Sequence, residues 1–196
     1  MSERNFSDIY KEFYHKITQY LTRLVGEHEA EDVAQVVFEK VNSNLPTFKG
    51  ESKISTWVFK IATNAALDRL RSPSYKRSPS GPLAPVHLQK VENITMAGNK
   101  PAPPDRKVIR DEMSDCIREF VDRLPPDFRT IITLNELEGF SNREIAEILD
   151  ISLETAKIRL HRARAKLKES LESGCDFYLD ESSELACDRK QSTDND

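Results

Sequence analysis

Apolar residues recur at three- and four-residue steps in the first seventy positions and again after position 111, and lose that rhythm in between. Phe6, Tyr10, Phe13, Ile17, Tyr20, Leu21 and Leu24 predict an amphipathic helix that stops at Gly26. Ala30, Val33, Ala34, Val37, Phe38 and Val41 give a second helix one broad apolar face, and Pro46 ends it. Its opposite face carries Asp32, Gln35 and Glu39, with Val36 beside them. That valine reads either as a partner contact or as an ordinary exposed residue. Residues 47–53 read as a loop. A third helix follows over 54–71, with Trp57, Ile61, Ala65, Leu67 and Leu70 directed inward and Lys53, Lys60, Asn64 and Arg71 outward.

In the second half, Met113, Ile117, Phe120, Val121 and Leu124 predict a helix broken by Pro125 and Pro126. Phe128, Ile131, Ile132, Leu134 and Leu137 predict the next one, stopped by Gly139. Ser141 and Glu144 then form an S-x-x-E capping box opening a short helix over 143–149. Asp150 and Ile151 make a tight turn, and Ser152 caps a final helix from Leu153 to Leu171. A short helix, a tight turn and a longer basic helix make a helix-turn-helix. The fold class expected is all-α: two small helical domains joined by a flexible linker.

Proline and charge set the boundaries. Residues 72–110 hold seven of the ten prolines, and seven bases against two acids. A stretch that long and structureless does not belong inside one compact domain. The expected layout is a domain at 1–71, a basic linker at 72–110, a second domain at 111–172 and an acidic tail at 173–196. Over the full 196 residues the net charge is −4, which argues against nucleic acid until it is divided. The tail has seven acids and two bases, so the rest of the chain is +1. From Asp111 to Glu154 there are twelve acids and four bases; from Thr155 to Lys168 there are six bases and no acid. Positive potential is thus concentrated on the final helix.

No apolar run reaches the ~18–20 residues of a membrane span, and the N-terminus lacks the pattern of a signal peptide. The expected location is the cytoplasm. No nucleophile with His and Asp partners, metal-ligand cluster or Gly-rich phosphate loop appears, so the chain reads as a non-enzyme that needs no cofactor.

The final helix places Leu153, Ala156, Leu160, Ala163, Leu167 and Leu171 in one stripe toward the core. Across from it stand Ile158, His161 and Arg162, with Thr155 at the first turn and Lys157, Arg159 and Lys166 along the flanks. Flanking cations suit phosphates, and central side chains suit base edges. The competing reading is a basic amphipathic helix on a membrane surface. Small Ala156 and Ala163 favour close helix packing instead. In the first domain Phe48, Lys53, Lys60, Asn64 and Arg71 suit a single strand: a ring stacks, an amide reads an edge and cations hold phosphates. Trp57 reads as core before it reads as a base platform.

The ordered motifs resemble a known family. They are Glu31-Asp-Val-Ala-Gln35-Val-Val-Phe38, Phe48-Lys-Gly-Glu-Ser52, Ser55-Thr-Trp57 running to Asn64, Leu124-Pro-Pro126, Phe140-Ser-Asn-Arg-Glu-Ile-Ala146 and Thr155 to Arg164. Together they resemble a bacterial RNA polymerase sigma factor of the extracytoplasmic-function (ECF) type, sigma-70 family group 4. The resemblance implies a region-2 domain that docks on the clamp of the polymerase largest subunit through Asp32, Gln35, Phe38, Val36 and Glu39, with Phe38 mostly core. It implies −10 DNA binding by Phe48, Lys53, Lys60, Asn64 and Arg71. It implies −35 DNA binding by Thr155, Lys157, Ile158, Arg159, His161, Arg162 and Lys166. The partners implied are core RNA polymerase, promoter DNA and an anti-sigma factor, with no membrane insertion. A promoter-bound activator or repressor is the competing class, in which the region-2 residues have no role.

The tail suggests a hairpin with arms at 177–179 and 184–186, bringing Cys175 and Cys187 within reach of one another, with Cys116 as a third thiol. Cys175 and Cys187 are weak metal candidates, because C-x11-C without His is not a zinc spacing. A redox pair and two ordinary thiols are the other readings. The acidic tail also has the charge to fold back on the basic helix.

Overall fold

The computed structural model describes residues 5–73, 75, 117–179 and 185–190. Helix α1 spans Phe6–Val25, α2 Glu27–Asn44 and α3 Ile54–Arg71, with a short 3-10 turn at Leu45–Thr47 after α2. Residues 117–122 are helical. Helix α4 (Pro126–Ile132) continues through a wide π turn at Thr133–Leu137; α5 is Asn142–Leu149 and α6 Leu153–Gly174. An antiparallel hairpin closes the chain, β1 at Cys175–Leu179 and β2 at Leu185–Arg189. The helical bodies match the all-α expectation, and the hairpin lies in the tail, where the sequence suggests one.

Local chemistry fixes these helices. Asn5 caps α1 by accepting from the Asp8 amide at 2.9 Å. Gly26 separates α1 from α2 with φ 88°, in the region that favours glycine. Ser141 and Glu144 form the complete capping box that opens α5, and Ser152 accepts from the Thr155 amide to open α6. Between α5 and α6, Asp150 turns the chain with φ 55°, a conformation that aspartate tolerates. The π turn is held by Thr133, whose hydroxyl donates to the Arg129 carbonyl, and by Asn135, whose amide donates to the Phe140 carbonyl.

In the first group, Ile9, Phe13, Ile17, Tyr20, Leu21 and Leu24 of α1 pack on Ala30, Val33, Ala34, Val37 and Val41 of α2 and on α3. Tyr20 is fully buried and shares a 2.8 Å hydrogen bond with Thr63, so its one polar atom is satisfied. The phase of α3 differs from the expectation. Val58, Phe59, Ala62, Ala65 and Ala66 face inward, while Trp57, Ile61 and Leu70 are half-buried at the edge. Small alanines let α3 approach its neighbours closely, and a pattern reading weights large residues first.

In the second group Ile131, Ile132 and Leu134 pack against Ile145, Ile148, Ala156, Leu160 and Ala163. Ala156 and Ala163 are fully buried where α4 and α5 meet α6. At its end, Gly174 lies so close to the Phe120 ring that a Cβ there would run into it. The hairpin then folds back: the Lys190 amide donates to the Gly174 carbonyl, and its ammonium donates to the Glu172 carbonyl. Residues 76–116, 180–184 and 191–196 lie outside the described residues, and with them most of the expected linker and Cys116.

Candidate nucleic-acid and polymerase interface

Helix α6 builds the strongest site. Its buried Ala156, Leu160 and Ala163 fix the rotation of the helix. That rotation leaves Thr155, Lys157, Ile158, His161, Arg162 and Lys166 exposed and Arg159 half-buried. Ile158 is 52% exposed and stands among the polar side chains of this face. Lys157 pairs with Glu154 at 3.0 Å and Lys166 with Glu169 at 2.8 Å, both within the helix. Arg164, also exposed, reaches across to the π turn instead, donating to Glu136 and Asn135.

On α2, Asp32, Gln35, Val36 and Glu39 share the exposed face, and Phe38 is buried. Val36 is 43% exposed, so it stands in the middle of this polar strip. Sequence reading missed the neighbouring aromatics of α1. Tyr10 and Tyr14 lie 4.9 and 5.7 Å from Phe38 between ring centroids and are themselves partly exposed. A periodicity argument assigns Tyr10 to the core because it fits the three- and four-residue rhythm. The surface that results is a shallow groove of rings edged by Glu31, Asp32 and Glu39.

On α3, Asn64 and Arg71 are exposed and Phe48 is half-buried, its ring 4.9 Å from Trp57. Lys53 is exposed and Lys60 half-buried, and both are engaged in ion pairs. Lys53 pairs with Glu144 of the capping box at 2.8 Å, and Lys60 with Asp150 of the turn at 3.3 Å. The α3 and α5 surfaces are in contact, with Phe140 packing edge-on to Phe59 at 4.8 Å. Arg23 of α1 adds a third ion pair to the second group, with Glu138 at 3.0 Å. The hydrogen bond from Lys53, with two more from Ser141, pulls the Glu144 carboxyl down to about 2. Burial pushes the Glu138 carboxyl up, and Arg23 pulls against it.

The hairpin register pairs Cys175 with Arg189 and Cys187 with Phe177. The strands are longer than the sequence suggests, and the two cysteines fall on one face, diagonal rather than opposite. Cys175 is buried and Cys187 half-buried, and neither forms a disulfide. Among the described residues no group of three or more metal-ligating side chains comes together. Nor is any helix among them long and apolar enough to cross a membrane.

Two packed helical groups, the second a helix-turn-helix with an open basic recognition helix, define a DNA-binding protein. Residues 9–74 match the family model for sigma-70 region 2, and residues 114–167 that for sigma-70 region 4. The ECF RNA polymerase sigma factor SigW of Bacillus subtilis is 36% identical over 170 residues, 85% of this chain and 88% of the relative. The ECF sigma-E factor of Escherichia coli is 30% identical over 172 residues, 87% of this chain and 88% of the relative. Among solved structures, the sigma factor RpoE bound to the anti-sigma factor NepR from Bartonella quintana shares the fold. It has a TM-score of 0.59 at 22% identity, over 85% of this chain and 96% of that one. The chain therefore belongs to the sigma-70 family, as an RNA polymerase sigma factor of the ECF type. Its function is promoter-specific transcription initiation on RNA polymerase, work of a kind that this family performs as initiation factors, not as enzymes.

Proposed function

We propose that this sigma factor reads its promoter at two separate points. The recognition helix α6 enters the major groove of −35 duplex DNA, and α3 with the Phe48 loop holds the melted −10 strand. On α6, Arg162, His161 and Ile158 face base edges, with Ile158 suited to a thymine methyl, while Lys157, Arg159 and Lys166 take phosphates. On α3, Asn64 reads a base, Phe48 stacks, and Lys53, Lys60 and Arg71 hold the backbone. The α2 face of Asp32, Gln35, Val36 and Glu39 docks on the clamp of the polymerase largest subunit, with residues 72–110 as the connection between the readers. An anti-sigma protein belongs to this reading as a further partner, because the RpoE relative is bound to one. The work done is positioning: contacts to DNA and polymerase offset the cost of unpairing the −10 bases.

The observation that carries the reading is the division of α6. Ala156, Leu160 and Ala163 are buried on one side, and Thr155, Lys157, Ile158, His161, Arg162 and Lys166 are exposed on the other. Run-off transcription with purified core polymerase on genomic fragments tests it. Initiation at a defined set of fragments, lost with Asp32→Lys, supports the reading. DNA binding with no polymerase-dependent initiation would turn it toward a free-standing activator or repressor.

A further inference from the structure

The match to sigma-70 region 4 ends at Leu167, whereas α6 runs on to Gly174 and the hairpin follows it. The second half of α6 is poorly anchored by its own side chains. Ala163 is its last buried residue, and none of residues 164–174 is buried. That stretch is roughly 16 Å of helix at 1.5 Å per residue. Helical stability in proteins comes mostly from packing, so an unpacked end frays. Its charges do not help. The last turn holds no base, and Glu169 and Glu172 stand near the negative end of the helix dipole. Yet Lys166, read above as a phosphate contact, lies in this stretch.

The hairpin supplies what the helix lacks. Gly174 lies against the Phe120 ring, where a side chain would not fit. Cys175 is 2% exposed, so the chain is buried again at the first residue of β1. The antiparallel register sets Arg189 opposite Cys175, which returns Lys190 to the end of α6. The Lys190 amide donates to the Gly174 carbonyl at 3.0 Å, and its ammonium donates to the Glu172 carbonyl at 2.8 Å. The same ammonium lies 3.4 Å from Asp176. An α-helix leaves its last four carbonyls without partners inside the helix. Lys190 satisfies two of them, and its cation stands where the dipole favours one.

We infer that the hairpin braces the DNA-reading helix, with Lys190 as the positioning residue. It keeps the C-terminal half of α6 helical, so that Lys166 meets the phosphate backbone at a fixed place. The inference rests on the reading of α6 as the −35 helix. The acidity of the tail suits the opposite role, a mask laid over the basic row. With the described hairpin in place, however, Ile158, His161, Arg162 and Lys166 are exposed. The two roles differ in sign: removing a brace weakens DNA binding, and removing a mask tightens it.

Full-length Lys190→Met and Lys190→Arg, with a chain ending at Gly174, test it. The first readout is hydrogen exchange of the backbone amides at 171–175. Exchange should be roughly five-fold faster in Lys190→Met and restored in Lys190→Arg. The second readout is the affinity of the reconstituted holoenzyme for a promoter fragment selected by run-off transcription. Lys190→Met should weaken it roughly three-fold, the shortened chain should weaken it further, and Lys190→Arg should match the wild type. In a Lys166→Ala background, Lys190→Met should cost nothing more, because Lys190 acts through Lys166. Tighter binding by the shortened chain would make the tail a mask and overturn the brace. Unchanged exchange in Lys190→Met would remove the cap. Faster exchange with unchanged promoter affinity would leave a helix cap with no part in reading DNA, and the inference would fall. If Arg162→Ala and Lys166→Ala alter neither affinity nor −35 preference, the reading of α6 itself fails. The exchange readout separates that case, since it needs no DNA.

Discussion

Helix α6 pairs Lys157 and Lys166 with its own Glu154 and Glu169, whereas Lys53 and Lys60, at the start and within α3, are given to carboxylates of the helix-turn-helix. The local pairs travel with the helix and yield to a phosphate without any rearrangement of the fold. The cross-group pairs instead span two packed surfaces, so their partners stay in place only while those surfaces stay together. On the proposed reading, α6 meets DNA with its packing unchanged, whereas the α3 cations must first give up carboxylates of the other group. This difference is not a matter of charge content, since both surfaces are rich in cations. It follows from which neighbours the packing supplies.

The largest effect expected concerns the apolar part of the shared surface. Phe140 is buried, with its ring edge-on to Phe59. Truncating a buried phenylalanine costs about 3–5 kcal/mol. Phe140→Ala should lower stability by about that much in urea denaturation followed by circular dichroism. A loss below about 1 kcal/mol would mean that the two rings contribute little to holding the groups. Next comes the open reader. Arg162→Ala should lose about 1–3 kcal/mol of promoter discrimination, seen as a relaxed preference at one −35 position in footprints. An unchanged preference would remove Arg162 from the base-reading set. Lys166→Ala is gentler, a uniform weakening with the salt slope reduced by about one. A loss confined to one base position would make Lys166 a reader of sequence instead.

Much of this was legible in the sequence because periodicity, capping and charge agree. The capping box at Ser141 and Glu144 appears as written, and the narrow stripe of α6 places its exposed row correctly. The polar face of α2 around Asp32 and Gln35, with Phe38 turned inward, is equally plain. The rest depended on information that no local pattern carries. Tyr10 fits the rhythm of α1 yet lies at the groove edge, because what covers it depends on how α2 crosses α1. Trp57 and Ile61 look like the core of α3, but buried alanines set its rotation. The hairpin was visible in the tail, but its register was not, and register decides that Cys175 and Cys187 sit diagonally. Glu144 was legible as a cap, never as a partner for Lys53 some ninety positions away, since tertiary pairing leaves no trace in spacing.

The smallest and most specific effect separates these two roles of Glu144. Its carboxyl is held at about 2, first by the hydrogen bond from Lys53 and then by the side chain and backbone of Ser141. The capping bonds belong to α5 and persist when the groups part; the lysine bond does not. Lys53→Ala should therefore raise the Glu144 value, while leaving it below that of an ordinary carboxylate because Ser141 still donates. The sign of the linkage follows. The share of the depression that comes from Lys53 stabilises the α3–α5 contact at any pH above the ordinary carboxyl value of 4.5, and that contribution is lost as pH falls toward about 2. Acid should thus weaken the α3–α5 contact of the wild-type chain, and Lys53→Ala should flatten that response. Glu138 acts in the opposite sense, since burial has raised its carboxyl and protonation relieves a cost, so the two carboxylates must be followed separately. Carboxyl-carbon NMR of the full chain resolves them. An unchanged Glu144 titration in Lys53→Ala would mean that the capping box alone sets its value, and that the ion pair contributes nothing to the contact between α3 and α5.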